Sequence, residues 1–255
     1  MRGVEIDTAF FNGNQAPSIS VQGCFEPGEG ADEAVEQERF AGWQEVLGKR
    51  GCGPNQRQAW TVKGEKRVTH VRLCMYPDGG IARFRLYGQA LPLWPADLTE
   101  EVELSAAVMG GVAVKCSDQH FGGKETLLLP GRGVDMGDGW ETKRSREEGH
   151  ADWVIVRLGA RGKVTKVVID TAHFRGNFPQ RATVEGLDAG GEAVEAADAR
   201  WVKLLGEEKL GPDQAVEFRA AEMRNVHGGK AYTHLKMTII PDGGVKRFRA
   251  FGTRA

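Results

Sequence analysis

The apolar and polar residues of this chain alternate over short runs, and the clearest run occurs twice. Segments 69–88 and 233–252 both contain Thr-His, alternating apolar positions, Pro-Asp-Gly-Gly, Arg-Phe-Arg and Gly, in that order. A period of two is typical of a strand with one buried face, so each segment predicts a β-hairpin turned by its glycines. In the second copy the phase predicts two opposite faces: Leu235, Met237 and Ile239 inside, and His234, Lys236, Arg247 and Arg249 outside.

A second window is repeated as well, which indicates an internal duplication. Segments 4–14 and 167–177 share the core Ile-Asp-Thr-Ala and the ending Gly-Asn. The chain starts inside the first copy, which lacks counterparts of the strands predicted at Val112–Cys116 and 153–158. Two explanations are open: an incomplete product, which we favour, or pairing with another subunit in a homo-oligomer. Loss of these strands predicts a set of uncovered core side chains: Ile6, Val21, Val71 and Phe84.

The remaining patterns favour a mostly β fold. Short alternating runs and 35 glycines suit strands joined by tight turns. Two strands are predicted at 153–159 and 164–170, separated by an Ala-Arg-Gly turn, while segments 31–39 and 190–199 have some helical tendency. The pattern indicates a β-sandwich of jelly-roll type. We predict a first repeat at 1–90, a proline-containing linker at 91–99 and a second, complete repeat at 100–255.

Composition narrows the range of functions. The formal net charge is −1 and no Lys/Arg cluster is present, so neither a nucleic-acid surface nor a membrane surface is indicated. The sequence has no membrane-spanning apolar run and no signal peptide at its start, which predicts a cytoplasmic protein. The four cysteines lack CxxC spacing, and Asp/His groups such as 118–120 and 150–152 lack a known metal spacing. We therefore expect no metal, no cofactor and a small-molecule ligand.

The polar residues of the second copy concentrate in three segments, 117–121, 136–144 and 170–177. Each segment adjoins a predicted strand, and the loops of a sandwich cluster at its ends. Carboxylates, imidazoles, an arginine and an amide are groups that can hold a polar substrate and move protons. The sequence therefore predicts a polar site at one end of the second sandwich.

These blocks resemble the allantoicase family. The resemblance is carried by Leu-Leu-Leu-Pro-Gly-Arg-Gly at 127–133, Gly-Asp-Gly-Trp-Glu-Thr at 137–142, Asp-Thr-Ala-His-Phe-Arg-Gly-Asn-Phe-Pro at 170–179 and both Pro-Asp-Gly-Gly segments. It implies tandem jelly-roll, galactose-binding-like domains. It also implies a hydrolase of C–N bonds in linear amidines, which converts allantoate to ureidoglycolate and urea during the breakdown of allantoin and other purine products.

For that reaction we assign roles to named residues. Arg144, in preference to Lys143, pairs with the substrate carboxylate because a guanidinium can grip it with two hydrogen bonds. Glu141 and His173 are the candidates for proton transfer. The other substrate-binding candidates are polar residues of the same loops: Asp118, His120 and Asn177.

Structural roles compete with several of these assignments. Asp170 and Asn177 border a sharp turn and recur as Asp7 and Asn14, which favours bonding to nearby backbone. His173 is Phe10 in the first copy, which favours function. Capping or pairing across the sheet better explains His70 and His234, and a loop position better explains His227. At the level of the whole chain, the alternatives are a non-catalytic carbohydrate- or small-molecule-binding protein and an inactive remnant.

Overall fold

A computed structural model describes residues 1–28, 30–226 and 229–255, so the predicted loop residue His227 lies outside the described residues. The chain forms two compact units, Met1–Gln89 and Ala90–Ala255. Both are mostly β, which confirms the predicted fold class. Within the described ranges, no helix is long and apolar enough to cross a membrane.

The first unit contains two three-stranded antiparallel sheets. Its elements are β1 (Gly3–Asp7), β2 (Ser18–Cys24), α1 (Ala31–Glu36), β3 (Gln44–Gly51), β4 (Arg57–Thr61), β5 (His70–Tyr76) and β6 (Arg83–Tyr87). The sheets have the orders β4-β1-β6 and β3-β2-β5, and both contribute to one apolar core. The prediction that Ile6 and Val21 are uncovered is wrong, because both lie fully buried between the sheets. Val71 and Phe84 are half-buried.

The second unit is larger. Its strands are β7 (Val102–Glu103), β8 (Val112–Cys116), β9 (Trp140–Glu141), β10 (Asp152–Asp170), β11 (Arg181–Leu187), β12 (Val202–Lys209), β13 (Ala215–Arg219), β14 (Tyr232–Ile240), β15 (Gly244–Val245) and β16 (Arg247–Arg254). The first half of β10 pairs with β8 and β14, and the second half pairs with β13 and β16. One strand therefore takes part in two groups of strands, β12-β11-β14-β10-β8 and β13-β10-β16-β7.

The two strands predicted at 153–159 and 164–170 are one strand, so that prediction is wrong. Pairing shifts register between Arg157 and Gly162 and again between Val164 and Lys166, where bulges let β10 bend. Gly162 is a site of close approach, since an added Cβ would lie 2.6 Å from Leu104 Cδ1. A glycine inside a strand thus produced a false turn signal.

The Pro-Asp-Gly-Gly segments are not hairpins, which is a second correction. Strand β14 pairs with β10 and β11, whereas β16 pairs with β10 and β7. The turn therefore carries the chain from one group of strands to the other, and in the first unit the corresponding turn joins β5 and β6, which lie in separate sheets. Gly243 has a φ of 132° and lies against the backbone of Asn177, where a Cβ would be 2.5 Å from the carbonyl oxygen. Only glycine fits both conditions.

The predicted inner face of β14 is confirmed, because Leu235, Met237 and Ile239 are fully buried. The outward position of Arg247 is wrong: its exposed fraction is 1%. The guanidinium donates to the carbonyl oxygens of Gly131 and Asp138 and to Asp138 Oδ2. The loop that precedes β9 covers this arginine. The alternation of residues along a strand does not predict that a distant loop buries one of them.

Segment 190–199, for which helical tendency was predicted, contains turns and irregular backbone but no helix. The predicted helical tendency at 31–39 is realised as the short helix α1. Trp201, which follows segment 190–199, packs beside a small cluster that includes Ile155 and Leu187. Its Nε1 donates to the Glu195 carbonyl oxygen at 2.9 Å, which links the tryptophan to that segment.

Candidate functional site

A cavity of about 330 Å³ lies at one end of the second unit. Three segments line it: the loop after β9, the connection between β10 and β11, and the corner after β14. The lining residues are Arg144, Ser145, Gly176, Asn177, Phe178, Gln180, Pro241 and Asp242. Two of the sequence-predicted site residues, Arg144 and Asn177, are therefore on one cavity.

Glu141 is joined to this cavity through Asn177. Its strand, β9, pairs with β15 so that Glu141 lies opposite Gly244. The neighbouring Trp140 is fully buried and donates from Nε1 to the Asp118 carbonyl oxygen at 2.8 Å, which anchors the short strand in the core. The Asn177 side-chain amide donates to Glu141 Oε1. This hydrogen bond fixes the position of the Glu141 side chain relative to the cavity residue Asn177.

Backbone hydrogen bonds hold the loop that carries Arg144 on both sides of that residue. The Lys143 N–H donates to Asp118 Oδ2 at 2.7 Å, and the Ser145 N–H donates to Asp242 Oδ2 at 2.8 Å. The side chains of Lys143 and Arg144 are exposed. Arg144 therefore presents a solvated guanidinium at the cavity on a loop whose backbone is fixed.

The Asp118 side chain accepts hydrogen bonds from the backbone of the loops around it. Its Oδ2 accepts from the backbone N–H groups of Lys143 and His120, at 2.7 and 3.0 Å. Burial raises the pKa of this carboxyl, but these N–H donors outweigh burial and the net pKa is lowered. Asp118 thus stays an anion that positions the loop. The His120 side chain is exposed and packs edge-on against Phe121, with 4.5 Å between ring centroids.

His173 lies in the same loop as Asn177 but not among the residues lining the cavity. Its φ is 68°, and its backbone N–H donates to Asp213 Oδ1 at 2.8 Å. In the first unit Phe10 also has a φ of 68°, and its N–H donates to Asn55 Oδ1 at 2.9 Å. The left-handed backbone therefore belongs to the repeated loop and not to the imidazole. In the described part of the chain, no hydrogen bond or ion pair joins His173 to Glu141.

The repeated aspartate has a structural role in both units. Asp170 is buried, accepts from the Ala172 N–H at 2.8 Å and receives two hydrogen bonds from Arg132, at 2.8 and 3.0 Å. These bonds to Asp170 raise the pKa of Arg132. Asp7 accepts in the same way from the Ala9 N–H at 2.9 Å. Local bonding to the turn, which the repeat predicted, accounts for this residue.

Both repeated histidines have local partners. His70 Nε2 lies 2.7 Å from Asp32 Oδ1, and its Nδ1 lies 2.9 Å from Thr69 Oγ1. His234 Nδ1 lies 3.0 Å from Thr233 Oγ1, while burial and the nearby Arg157 lower its pKa. Neither histidine lines the cavity. These contacts fit the local-pairing interpretation.

Sequence reasoning missed four of the cavity residues: Ser145, Phe178, Gln180 and Asp242. Asp242 did carry a signal, since it belongs to the repeated Pro-Asp-Gly-Gly segment, but that segment was interpreted as a turn alone. Phe178 and Gln180 lie just beyond the third polar segment, on either side of Pro179. Their position beside Asn177 depends on how the loop folds back, which residue spacing does not specify.

A second cavity, of about 380 Å³, lies elsewhere in the second unit. Its lining includes the cationic side chains of Arg161, Arg200 and Lys230. Arg161 is paired with Asp188 at 2.8 Å, and Arg200 with Asp198 at 2.7 Å. Two of its three cations thus already have carboxylate partners. Across the described ranges, no cluster of three or more His, Cys, Asp or Glu side chains could hold a metal ion.

Comparison with known proteins identifies the family. A family model described as the allantoicase repeat matches residues 1–91 and 102–255. The chain belongs to the allantoicase family.

Individual family members agree with this placement. The allantoicase of Neurospora crassa is 51% identical over 100% of this chain and 71% of the relative. A probable allantoicase of Schizosaccharomyces pombe is 52% identical over 99% of this chain and 71% of the relative. The crystal structure of a Saccharomyces cerevisiae allantoicase matches with a TM-score of 0.81 and 46% identity, covering 99% of this chain and 73% of that one. The resemblance stated from sequence motifs is confirmed.

Proposed function

We propose that this chain is a hydrolase that converts allantoate to ureidoglycolate and urea. The observation that carries the proposal is the extent of its similarity to proteins named allantoicase, 51% identity over the whole chain in one case. The cavity in the second unit supports it, because the lining places a guanidinium, two amides and a carboxylate around one space. Allantoate is a small anion with two ureido groups, and these groups complement it chemically.

The first step we propose is recognition of the substrate carboxylate by Arg144. The guanidinium can donate two parallel hydrogen bonds to a carboxylate, which fixes orientation as well as supplying attraction. Among the described residues that line this cavity, Arg144 is the only arginine or lysine. The bonds of Lys143 and Ser145 to Asp118 and Asp242 hold the backbone on either side of it.

The second step we propose is proton transfer by Glu141. Loss of urea requires activation of water and a proton for the departing nitrogen. The Asn177 amide donates to Oε1 of Glu141 and holds the side chain in place, and Oε2 is the oxygen that we propose accepts a proton from water. Of the two candidates for proton transfer, Glu141 is the one that a described contact joins to the cavity. The role of His173, like the substrate-binding roles of Lys143, Asp118 and His120, stays a prediction.

Several wider expectations also stay predictions: a cytoplasmic location, activity without a metal or cofactor, no nucleic-acid or membrane partner, and assembly into a homo-oligomer. A carbohydrate-binding role is not favoured. Sugar sites usually present exposed aromatic rings, whereas this cavity contains one aromatic residue, Phe178, among polar and charged neighbours.

The test is urea release from allantoate by the purified chain, with Arg144→Ala as the variant. We expect turnover by the unmodified chain. In the variant we expect a KM roughly 10-fold or more higher, because a charge-assisted hydrogen bond is worth about 1.5–3 kcal/mol. Arg146→Ala is the matched control, since Arg146 is exposed on the same loop and does not line the cavity. A folded chain that releases no urea would contradict the proposal, and equal effects of the two variants would contradict the role of Arg144.

A further inference from the structure

The aspartate of the repeated Pro-Asp-Gly-Gly corner has different surroundings in the two units. In the first unit Asp78 is exposed, and no hydrogen bond to its side chain occurs among the described residues. In the second unit Asp242 is half-buried, lines the cavity and accepts from the Ser145 N–H at 2.8 Å. The corner itself therefore does not need this carboxylate. The position gains its contacts only where the cavity exists.

The hydrogen bond to Ser145 uses one of the two carboxylate oxygens. Oδ2 accepts from the backbone, and within the described ranges Oδ1 accepts from no residue. An ionised carboxylate accepts hydrogen bonds at both oxygens and donates none. Oδ1 is thus an acceptor for a molecule in the cavity, and the bond through Oδ2 holds the carboxylate in place.

We propose that Asp242 binds a ureido N–H of the substrate and selects ureides over plain carboxylates. This inference rests on the function proposed above and extends it to substrate selection. A ureido group offers N–H donors to a carboxylate acceptor. A second carboxylate placed there would instead meet like charge. With Arg144 and Asp242 on the same cavity, the lining is complementary to a molecule that carries one carboxylate and a neighbouring N–H donor.

The decisive substitution is Asp242→Asn. Asparagine keeps a carbonyl oxygen for the Ser145 N–H, so the loop retains its anchor, but the amide nitrogen replaces Oδ1. A donor then faces the ureido donor, and the hydrogen bond is lost. The matched control is Asp78→Asn, the same change at the same corner of the first unit, where the side chain is exposed and has no hydrogen bond among the described residues.

The experiment is calorimetric titration of the full chain with hydantoate, which carries one carboxylate and one ureido group, and in parallel with malonate, which carries two carboxylates. We expect Asp242→Asn to weaken hydantoate binding by roughly 10- to 100-fold. Malonate binding should stay unchanged or strengthen, because a negative charge has been removed. Asp78→Asn should bind both probes as the unmodified chain does.

Three results would overturn the inference. One is hydantoate binding of unchanged strength in Asp242→Asn, and another is failure of the unmodified chain to bind hydantoate. The third is equal weakening of hydantoate and malonate, which would indicate that Asp242 only holds the loop. Binding is measured without turnover, so a chain that binds hydantoate through Asp242 but releases no urea from allantoate would contradict the proposed function alone.

Discussion

Replacement of Glu141 by glutamine separates the chemical role of this residue from its structural role. The Glu141 side chain accepts from the Asn177 amide through Oε1, and a glutamine oxygen can accept the same hydrogen bond. The substitution exchanges a charged acceptor for a neutral one, which lowers stability by about 1 kcal/mol. For a unit of this size that corresponds to a melting temperature lower by about 2–4 °C.

The effect on turnover should be much larger. Glutamine cannot accept a proton from water, and general base catalysis typically contributes about 10²- to 10⁴-fold. At about 1.36 kcal/mol per tenfold, the activation free energy should rise by about 3–5 kcal/mol. The assay is kcat for urea release from allantoate, with melting temperature measured on the same samples. Glu147→Gln is the control, since Glu147 is exposed further along the same loop.

Glu141→Gln protein that keeps the kcat of the unmodified chain would refute the assignment. A large loss of kcat together with a melting temperature lowered by 10 °C or more would instead indicate that Glu141 acts through folding. The expected combination is a large loss of rate with a small loss of stability, and only that combination supports proton transfer.

Two further predictions concern stability. Hydrogen bonds from Arg57 and Tyr87 hold the pKa of Glu5 at about 2, below its ordinary 4.5. Because the folded-state pKa is lowered, the ionised Glu5 contributes stability above pH 4.5, and this stability is lost as the pH falls toward 2. The midpoint of guanidinium unfolding should therefore fall less over this pH range in Glu5→Gln than in the unmodified chain. Equal pH dependence of the two proteins would refute this prediction. Gly244→Ala should destabilise the second unit by about 1–3 kcal/mol, because an added Cβ overlaps the buried Phe174 ring. Gly206→Ala, where a Cβ meets nothing within 4 Å, is the control for chemical denaturation, and an equal loss in both variants would contradict the overlap.

The sequence pattern predicted which faces of strands are buried better than it predicted which strands pair. The buried face of β14 followed from the alternation of Leu235, Met237 and Ile239. Alternation says nothing about the neighbouring strand, however, and a tight turn between two alternating runs is typical of a hairpin. Here Gly243 packs against the backbone of Asn177, and the turn joins two strands that do not pair with each other. That contact depends on a residue far away in the sequence.

The positions of charged residues along the chain did not predict which charged side chains are buried. Arg247 follows the polar phase of its strand, yet the backbone carbonyl groups of Gly131 and Asp138 satisfy its guanidinium beneath a loop. The first unit was expected to lose its core cover, yet Ile6 is fully buried because two three-stranded sheets are enough to enclose it. The burial of Arg247 and the closure of the small core around Ile6 both depend on tertiary contacts, which the pattern of residues along the chain does not show.

For the candidate site, the sequence supplied residue types but not their arrangement. Arg144 and Asn177 were identified, and the structure places both on one cavity. Asp242 was missed because its segment is a strong turn signal that also occurs at the exposed corner of the first unit. At the second corner the loop after β9 supplies a partner, because the Ser145 N–H donates to Asp242 Oδ2 at 2.8 Å.

The most direct test of the account is a crystal structure of the Glu141→Gln chain with allantoate. Allantoate should lie in the cavity of the second unit, with its carboxylate on Arg144 and a ureido N–H on Asp242. Allantoate bound instead in the cavity lined by Arg161, Arg200 and Lys230, with the Arg144 cavity empty, would contradict it.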